Sequence, residues 1–398
     1  MPLPSRSAAT TTTATTVRPP TARVALISVT VTLFFLLVRL VRVGGATGFP
    51  IAARDQVTPA AGLRLYPQGY DGQFVYRLAL DPFTRVVSAH HITFDSAPYR
   101  QQRIATALAA WVVAMIPGVS TAWALLIVNA AAVIAAGIAA SYLTASFGRR
   151  LRWAPVLAVP AYLPISLGRD LTEPLAWATI LLALLAIRAQ HWCWAALALT
   201  VAVLARETSV LVVLGLGAAE LVARGRGPRR AWPRLWLLLP IAVEAGWQLY
   251  LAHVWQSRLP ILLGTDNTSS LPVLGVFHSL FDGLPATGLV ATGLGVSYVA
   301  ERLVLLGLLL TALWSVARRR VQATFGEQLA WGFAALLAIT LQSWGRDVQF
   351  LRAAAEGWEL SVLMLVSVRE FRSRGIEVML TAAGVVTLGV AVLYAIRP

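Results

Sequence analysis

The sequence lacks lysine, so all 33 basic residues are arginines, and charged residues make up only 13% of its 398 positions. Its one cysteine, Cys193, excludes an intrachain disulfide framework and a cysteine-ligated metal site. The five histidines show no metal-binding spacing such as HExxH. The chain is instead rich in apolar residues: 58% are hydrophobic and the mean hydropathy is +0.70, which indicates an integral membrane protein.

The arginines occur in short clusters between apolar segments, and their positions predict the topology. The positive-inside rule and anionic lipid account for the formal charge of +15, so no nucleic-acid partner is expected. Because a spanning helix needs about 20 mainly apolar residues, the pattern predicts an all-α, polytopic transmembrane helix bundle of about 11 spans. The predicted spans are residues 22–41, 121–146, 153–168, 173–188, 192–206, 208–223, 234–253, 298–317, 327–343, 353–368 and 376–395.

This topology divides the chain into three regions. Residues 1–21, rich in Ser, Thr and Pro, are predicted to be a disordered cytoplasmic tail. Residues 22–223 form a core with an outer loop at 44–120. Residues 224–398 supply additional transmembrane helices with an outer loop at 254–297.

Two features complicate this assignment. The apolar segment 104–116 is too short to span, so we expect it to lie at the interface or to re-enter the membrane. Arg39 and Arg42 lie at the predicted outer end of the first helix, against the charge rule. Their long side chains are expected to snorkel to the interface.

The first outer loop contains an unusually polar stretch, YDGQFVYRLALDPF, at residues 70–83. Its aromatic and charged residues recur at helical spacing before Pro82, which predicts a short helix lying on the outer leaflet. Gly69 and Gly72 flank Asp71 and are expected to give a ligand room to reach its carboxylate. The alternative is an amphipathic interfacial helix with solvated charges.

Three further polar motifs lie on the same predicted face: YRQQR (99–103), RDLTEP (169–174) and RET (206–208), with a fourth, GRDVQFLR, at 345–352. Charged groups cost about 2.5–3.5 kcal/mol each at the bilayer centre, so several together predict a functional site. Arginines bind phosphate through two parallel hydrogen bonds, and carboxylates deprotonate hydroxyl groups.

Structural alternatives stay open for each motif. Arg169 and Asp170 are candidates for a mutual ion pair, and Glu173 is placed to cap the helix that Pro174 begins. The RET motif is also typical of a structural ion pair. Within the membrane, Glu244 with Gln248 and Glu356 with Glu359 are predicted to bond neighbouring helices.

Taken in order, the motifs GYDGQFVYRLALDPF, YRQQR, RDLTEPLA and LARETS resemble the GT-C superfamily of polytopic glycosyltransferases. Within it they are similar to a bacterial family associated with cell-surface glycopolymer formation. The resemblance covers most of residues 22–223 and implies a GT-C-like catalytic core there. It also implies a multi-pass protein of the bacterial cytoplasmic membrane, with a cytoplasmic N-terminus and an active site on the outer face.

GT-C enzymes transfer a sugar from a polyprenyl-phosphate carrier with inversion, using an acid of the first loop as base. By position, the resemblance implies Asp71 as this base, with Asp170 or Glu173 as the second acidic element. Many relatives have two adjacent acids in the first loop, whereas Gly72 follows Asp71 here. The choice among Asp71, Asp81 and Asp95 therefore stays open.

Arg103 and Arg206 are the candidates for holding the carrier phosphate, with Arg100 and Arg352 behind them. The full set of candidate substrate-binding residues is Tyr70, Gln73, Arg77, Asp81, Tyr99, Arg100, Gln102, Arg103, Arg169, Arg206, Glu207 and Arg352.

The implied partners are a polyprenyl-phosphate sugar donor, a glycan or lipid acceptor, and membrane lipids. Asp and Glu oxygens of two loops are also suited to a divalent cation such as Mg or Mn, although the sequence does not decide this. Two alternative functions are a lipid-linked glycan polymerase or ligase and a flippase-type transporter. The polymerase is disfavoured because the loop at 254–297 carries little charge, and the transporter because the mid-membrane acids are few.

Overall fold

The computed structural model describes residues 22–149, 151–224, 236–263, 289–340, 349–369 and 374–396. Within these ranges the chain is mostly α-helical with two small two-stranded sheets, which confirms the all-α prediction. The predicted tail, most of the predicted outer loop 254–297 and the first part of the GRDVQFLR motif lie outside the described residues.

The helices are α1 (Ala22–Val43), α2 (Gly72–Leu80), α3 (Ala97–Gln101), α4 (Ile104–Ala114), α5 (Thr121–Ser146), α6 (Ala154–Ala158), α7 (Leu163–Leu167), α8 (Glu173–Arg188), α9 (Trp192–Ala205), α10 (Val210–Arg224), α11 (Leu239–Val254), α12 (Pro260–Leu263), α13 (Leu289–Ala317), α14 (Phe325–Thr340), α15 (Gln349–Ala353), α16 (Ala355–Val366) and α17 (Arg374–Ile396). Strand β1 (Ala52–Ala53) pairs in parallel with β2 (Leu65–Tyr66). Strand β3 (Ser88–Ala89) pairs antiparallel with β4 (Ile92–Thr93).

Several of these helices are suited to a bilayer. Four stretches of the described chain are long and apolar enough to cross a membrane: Thr121–Ser146, Trp236–Val254, Val299–Ala317 and Arg374–Ala395. Three shorter apolar helices accompany them: Ile104–Ala114, Trp192–Ala205 and Phe325–Thr340. The helices support a membrane protein, whereas the number of eleven spans stays a prediction.

The predicted span 153–168 is not a single helix. It contains α6 and α7, separated by a turn in which the Leu163 N–H donates to the Pro160 carbonyl. Pro160 has no N–H to donate and disfavours helical backbone at Val159, whose φ is −126°. Both short helices are largely buried against neighbours that include α5, so protein covers this irregular backbone, as a membrane interior requires.

Residues 44–120, predicted to be the first outer loop, contribute most of a small core. Helix α2 packs against α4 and α5 through side chains such as Phe74 and Leu78. The predicted helix in this stretch is confirmed, and its position on the outer leaflet stays a prediction. The alternative of a helix with solvated charges is wrong for Arg77, whose side chain is 0% exposed. The 11 residues of α4 confirm that 104–116 holds a helix too short to span.

The prediction that Arg39 snorkels to the interface is also wrong. Arg39 is buried, and its Nε donates to the Gly168 carbonyl at 3.2 Å. Its Nη1 donates to the Tyr394 carbonyl at 3.3 Å. The guanidinium therefore ties α1 to the end of α7 and to the last turns of α17, where backbone oxygens replace its water.

Helix packing brings the polar motifs to one end of the bundle. Helix α8 packs between α5 and α9, and α1 lies against α5 and α17. Helix α10 approaches α14 so closely that a Cβ on Gly215 would lie 2.2 Å from the Ala330 backbone nitrogen. The starts of α2 and α8, the α9–α10 junction and α15 meet at the same end, where ion pairs join them.

Candidate active site

A continuous series of ion pairs joins distant parts of the chain at this end. In order of contact it runs Asp95, Arg100, Asp71, Arg352, Glu173, Arg206 and Glu356. A separate pair, Arg103 with Glu207, lies across a small cavity from it. We refer to these nine residues as the arginine–carboxylate cluster. Acids and arginines of the motifs singled out in the sequence therefore do meet.

Asp71 lies just before α2 and each of its carboxylate oxygens accepts from a different arginine. Arg100 Nη1 donates to Oδ1 at 2.7 Å, and Arg352 Nη1 donates to Oδ2 at 3.0 Å. Burial alone would raise the pKa of Asp71, but Arg352, Arg100 and Arg103 outweigh it and hold the pKa well below its ordinary value. The side chain is still 27% exposed, so a ligand can reach it.

Glu173 is the hub of the series. Its Oε1 accepts from Arg352 Nε at 2.7 Å and from Arg206 Nη1 at 3.1 Å. The side chain is only 1% exposed. Arg206 also donates to the Arg352 backbone carbonyl, so the two guanidinium-bearing segments are tied together twice. This geometry assigns Glu173 to positioning arginines rather than to the predicted helix cap alone.

Arg103 and Glu207 form a two-pronged ion pair. Arg103 Nε donates to Glu207 Oε2 at 2.7 Å, and Arg103 Nη2 donates to Oε1 at 2.5 Å. Arg103 also lies over the Tyr99 ring, 5.4 Å from its centroid. Burial alone would raise the pKa of Glu207, but Arg103 lowers it to about 2. The RET motif therefore does contain ion-paired residues, but its glutamate pairs with Arg103 and not with the adjacent Arg206.

Two members of the cluster, Glu356 and Asp95, were not among the substrate-binding residues predicted from the sequence. Glu356, predicted to bond neighbouring helices, forms an ion pair with Arg206, with Nε 2.8 Å from its carboxylate, and accepts from the Thr208 hydroxyl. Asp95 accepts from Arg100 Nε at 2.8 Å and from Nη2 at 2.5 Å. Nothing local marked Glu356, because its partners lie about 150 positions earlier in the chain. Asp95 was visible as one of the open choices for the base.

Asp170 is not part of the cluster. It is buried with φ +52°, and neither carboxylate oxygen has a hydrogen-bond partner among the described residues. Burial raises its pKa well above the ordinary range, although Asn129 and Arg39 act in the opposite direction. The alternative of an Arg169–Asp170 ion pair is therefore wrong. Of the two predicted second acids, only Glu173 touches the arginines around Asp71.

Other predicted substrate-binding residues contact protein instead. Arg77 Nη2 donates to Thr84 Oγ1 at 2.8 Å, and Asp81 lies 3.9 Å from Arg77 and away from Asp71's partners. Gln73 accepts from the Ala53 N–H at 2.9 Å. Gln102 accepts from Gln248 Nε2 at 3.2 Å. Asp81 is thus poorly placed to be the base.

Gly69 and Gly72 do not leave space for a ligand, contrary to the prediction. A Cβ on Gly69 would lie 2.6 Å from Ala53 Cβ, and one on Gly72 would lie 2.0 Å from the Arg169 carbonyl oxygen. Glycine is required at both positions because neighbouring chain segments pack directly against the backbone. The close approach at Gly72 holds Asp71 against the RDLTEP segment.

Asp71 lies on the wall between two cavities. One, of about 20 Å³, is also lined by Tyr99, Arg103, Leu171 and Arg352. It has room for roughly one water molecule. The other is a groove of about 520 Å³ lined mainly by polar residues of the first loop: Arg54, Asp55, Gln56, Gln68, Tyr70, Gln73 and Asp95. Asp71, Phe74 and Arg100 line both.

The described part of the chain contains no group of three or more His, Cys, Asp and Glu side chains arranged to hold a metal ion. The acids of the cluster face arginines. Use of a divalent cation stays a prediction.

Neither protein-family models nor curated proteins gave a match to this sequence.

Proposed function

We propose that this chain is an inverting membrane glycosyltransferase of the GT-C type. It moves a sugar from a polyprenyl-phosphate donor to a cell-envelope glycan or lipid acceptor at the outer face of the bacterial cytoplasmic membrane. The observation that carries the proposal is the position of Asp71: one carboxylate, partly exposed, between a polar groove of about 520 Å³ and a cavity lined by arginines.

The geometry supports a division of roles around Asp71. An acceptor hydroxyl enters from the polar groove, and the Asp71 carboxylate accepts its proton as the oxygen bonds to the anomeric carbon. The bond from that carbon to the phosphate oxygen breaks, and its electron pair leaves with the phosphate. Arg103 and Arg352, on the other side of Asp71, stabilise the negative charge that develops.

The cluster must rearrange when the donor binds. A cavity of about 20 Å³ is far too small for a sugar phosphate, so at least one side chain moves. A phosphate that draws Arg100 or Arg352 away from Asp71 also removes the charge that lowers the pKa of this carboxylate. Donor binding would then convert a weak base into a stronger one at the moment of transfer.

Asp71→Asn tests the proposal, with Asp81→Asn as the matched control, because Asp81 lies in the same loop but lines neither of the two cavities. We expect transfer to fall about 10²–10⁴-fold in Asp71→Asn, because general base catalysis contributes this much. Cells that depend on the variant should lose surface glycan and accumulate prenyl-phosphate-linked sugar, measured by mass spectrometry of extracted lipids. The Asp81→Asn chain should support normal glycan.

Two results would contradict the assignment. Normal surface glycan with normal levels of the Asp71→Asn protein would exclude this residue as base. Lipid-linked sugar accumulating only on the inner leaflet, detected by its protection from a membrane-impermeant periodate oxidant, would indicate a flippase instead.

A further inference from the structure

Arg169 differs from the arginines of the cluster, because it forms no ion pair with any described carboxylate. Its guanidinium lies over the Tyr70 ring, 4.0 Å from the centroid, and 5.1 Å from the centroid of the Tyr394 ring. The side chain is partly exposed. By contrast, Arg100, Arg103, Arg206 and Arg352 each contact one or more carboxylates.

When a guanidinium stacks against an aromatic ring, its N–H groups remain available as hydrogen-bond donors. An aromatic ring contacts the face of the planar group, whereas its N–H donors point outward in the plane. The Arg169 guanidinium contacts both tyrosine rings and forms no side-chain hydrogen bond with a described residue. Such an arrangement suits a bidentate contact with a phosphate or carboxylate.

The surroundings of Arg169 point to the membrane. Arg39 joins the Gly168 carbonyl, next to Arg169 in the chain, to the carbonyl of Tyr394. The junction between α1 and α17 therefore lies directly beside Arg169, at the ends of both helices.

Both helices expose apolar side chains on the way to this junction. On α1 these include Phe34, Leu37 and Val41, and on α17 they include Val385, Leu388 and Val392. A lipid whose chain lies along these surfaces has its headgroup at the level of Arg169. Among the described residues no carboxylate forms an ion pair with this guanidinium, and the phosphate of a lipid is the anion that this position brings within reach.

We propose that Arg169, in contact with the Tyr70 and Tyr394 rings, binds the phosphate of a membrane lipid at the junction of α1 and α17. Only the identification of that lipid as the sugar carrier rests on the proposed transfer reaction. Tyr70 also accepts from Arg352 Nη1 at 3.0 Å through its hydroxyl. Only the Tyr70 side chain would therefore separate a lipid phosphate on Arg169 from the arginine–carboxylate cluster.

The test is a titration of the purified full chain in detergent micelles with farnesyl phosphate, phosphatidylglycerol, inorganic phosphate and farnesol. Native mass spectrometry measures the bound fraction. The wild type should bind the two lipid phosphates at least about tenfold more tightly than farnesol or inorganic phosphate. Arg169→Ala should lose at least about tenfold in affinity for the lipid phosphates, since a charge-assisted bidentate contact is removed.

Arg169→Lys and Arg85→Ala complete the set. Lysine keeps the charge but loses the planar fork, so the Arg169→Lys chain should bind lipid phosphate with an affinity between those of the wild type and Arg169→Ala. This variant also provides the test if Arg169→Ala does not fold. Arg85, an exposed arginine of the same outer loop, supplies the same change of charge and should leave binding unchanged. Unchanged binding in Arg169→Ala, or inorganic phosphate binding as tightly as farnesyl phosphate, would overturn the proposal.

The two lipids distinguish the source of the phosphate. Preference for farnesyl phosphate identifies a prenyl carrier, whereas equal affinity identifies a general phospholipid site, and both support a lipid phosphate on Arg169. The Asp71→Asn chain separates this site from the proposed reaction: it should retain lipid-phosphate binding while losing transfer. Normal transfer in Asp71→Asn together with lost binding in Arg169→Ala would remove the proposed mechanism and leave the lipid site intact.

Discussion

The two ends of the helix bundle hold their charged residues in different ways. At the Asp71 end, three arginines and four carboxylates form one continuous series of ion pairs, and Arg103–Glu207 lies beside it. At the other end of α8 and α17 the ion pairs stand apart from one another. Arg152 and Glu377 are 2.7 Å apart and about half exposed, and Arg188 contacts Glu327 at 2.7 Å.

The larger cavity does not lie at the end that holds the continuous series of ion pairs. The end near Arg188 has a larger cavity, about 710 Å³, lined mostly by apolar residues such as Leu216 and Phe325. A buried ion pair contributes little net stability, because desolvation offsets attraction. A function therefore explains this series of ion pairs between distant segments better than a contribution to stability does. Convergent charge, rather than volume, marks the candidate active site.

Among the substitutions that test this contrast, Glu173→Gln should cause the largest loss of stability. The substitution leaves Arg206 and Arg352 without their shared, buried carboxylate, and removing one partner of a buried pair costs about 3–5 kcal/mol. Glu377→Gln, at the exposed pair, should cost less than about 1 kcal/mol. Unfolding in detergent micelles, followed by circular dichroism, measures both. Similar losses of unfolding free energy in the two variants would show that ion pairs contribute to stability in the same way at both ends.

Gly72→Ala should have an intermediate effect. The new methyl group meets the Arg169 carbonyl oxygen at 2.0 Å, so the backbone must shift, at a cost of about 1–3 kcal/mol. The shift also moves Asp71, so transfer should fall more than stability alone explains. In Gly246→Ala nothing lies within 4 Å of the added Cβ, and an alanine inside α11 should stabilise by about 0.5–1 kcal/mol. A Gly72→Ala chain as stable and active as wild type would contradict the close contact.

Local patterns predicted the elements of the fold better than their positions. The predicted span 173–188 coincides with α8, because a helix start signal and a basic residue at its end mark both limits. The break in 153–168 was not predicted, although Pro155, Pro160 and Pro164 interrupt the apolar run. Apolar composition alone did not reveal that Arg77 and Arg39 are buried, because burial depends on which segments pack around them.

The candidate site was predictable in its residue types but not in its pairing. Charges in an apolar chain identified Asp71, Arg103 and Arg352 as members. The contact between Arg352 and Asp71 joins positions 281 apart, and no local pattern encodes such a pair. For the same reason the sequence could not choose between Glu173 and Asp170, which differ only in what tertiary packing places beside them.

The smallest expected effect concerns the acid sensitivity of the Asp71 end. Arg103 lowers the folded-state pKa of Glu207 to about 2, below its value of roughly 4.3 in an unfolded chain. The resulting stabilisation is fully present above the unfolded-state pKa and is lost as the pH falls toward about 2. Glu207→Gln should therefore flatten the decline of the unfolding midpoint between pH 5 and pH 2. Glu377→Gln, in a solvent-screened pair, serves as the control. An equally steep decline in Glu207→Gln would mean that Arg103 and Glu207 gain nothing from being paired, and that the Asp71 end responds to acid as the opposite end does.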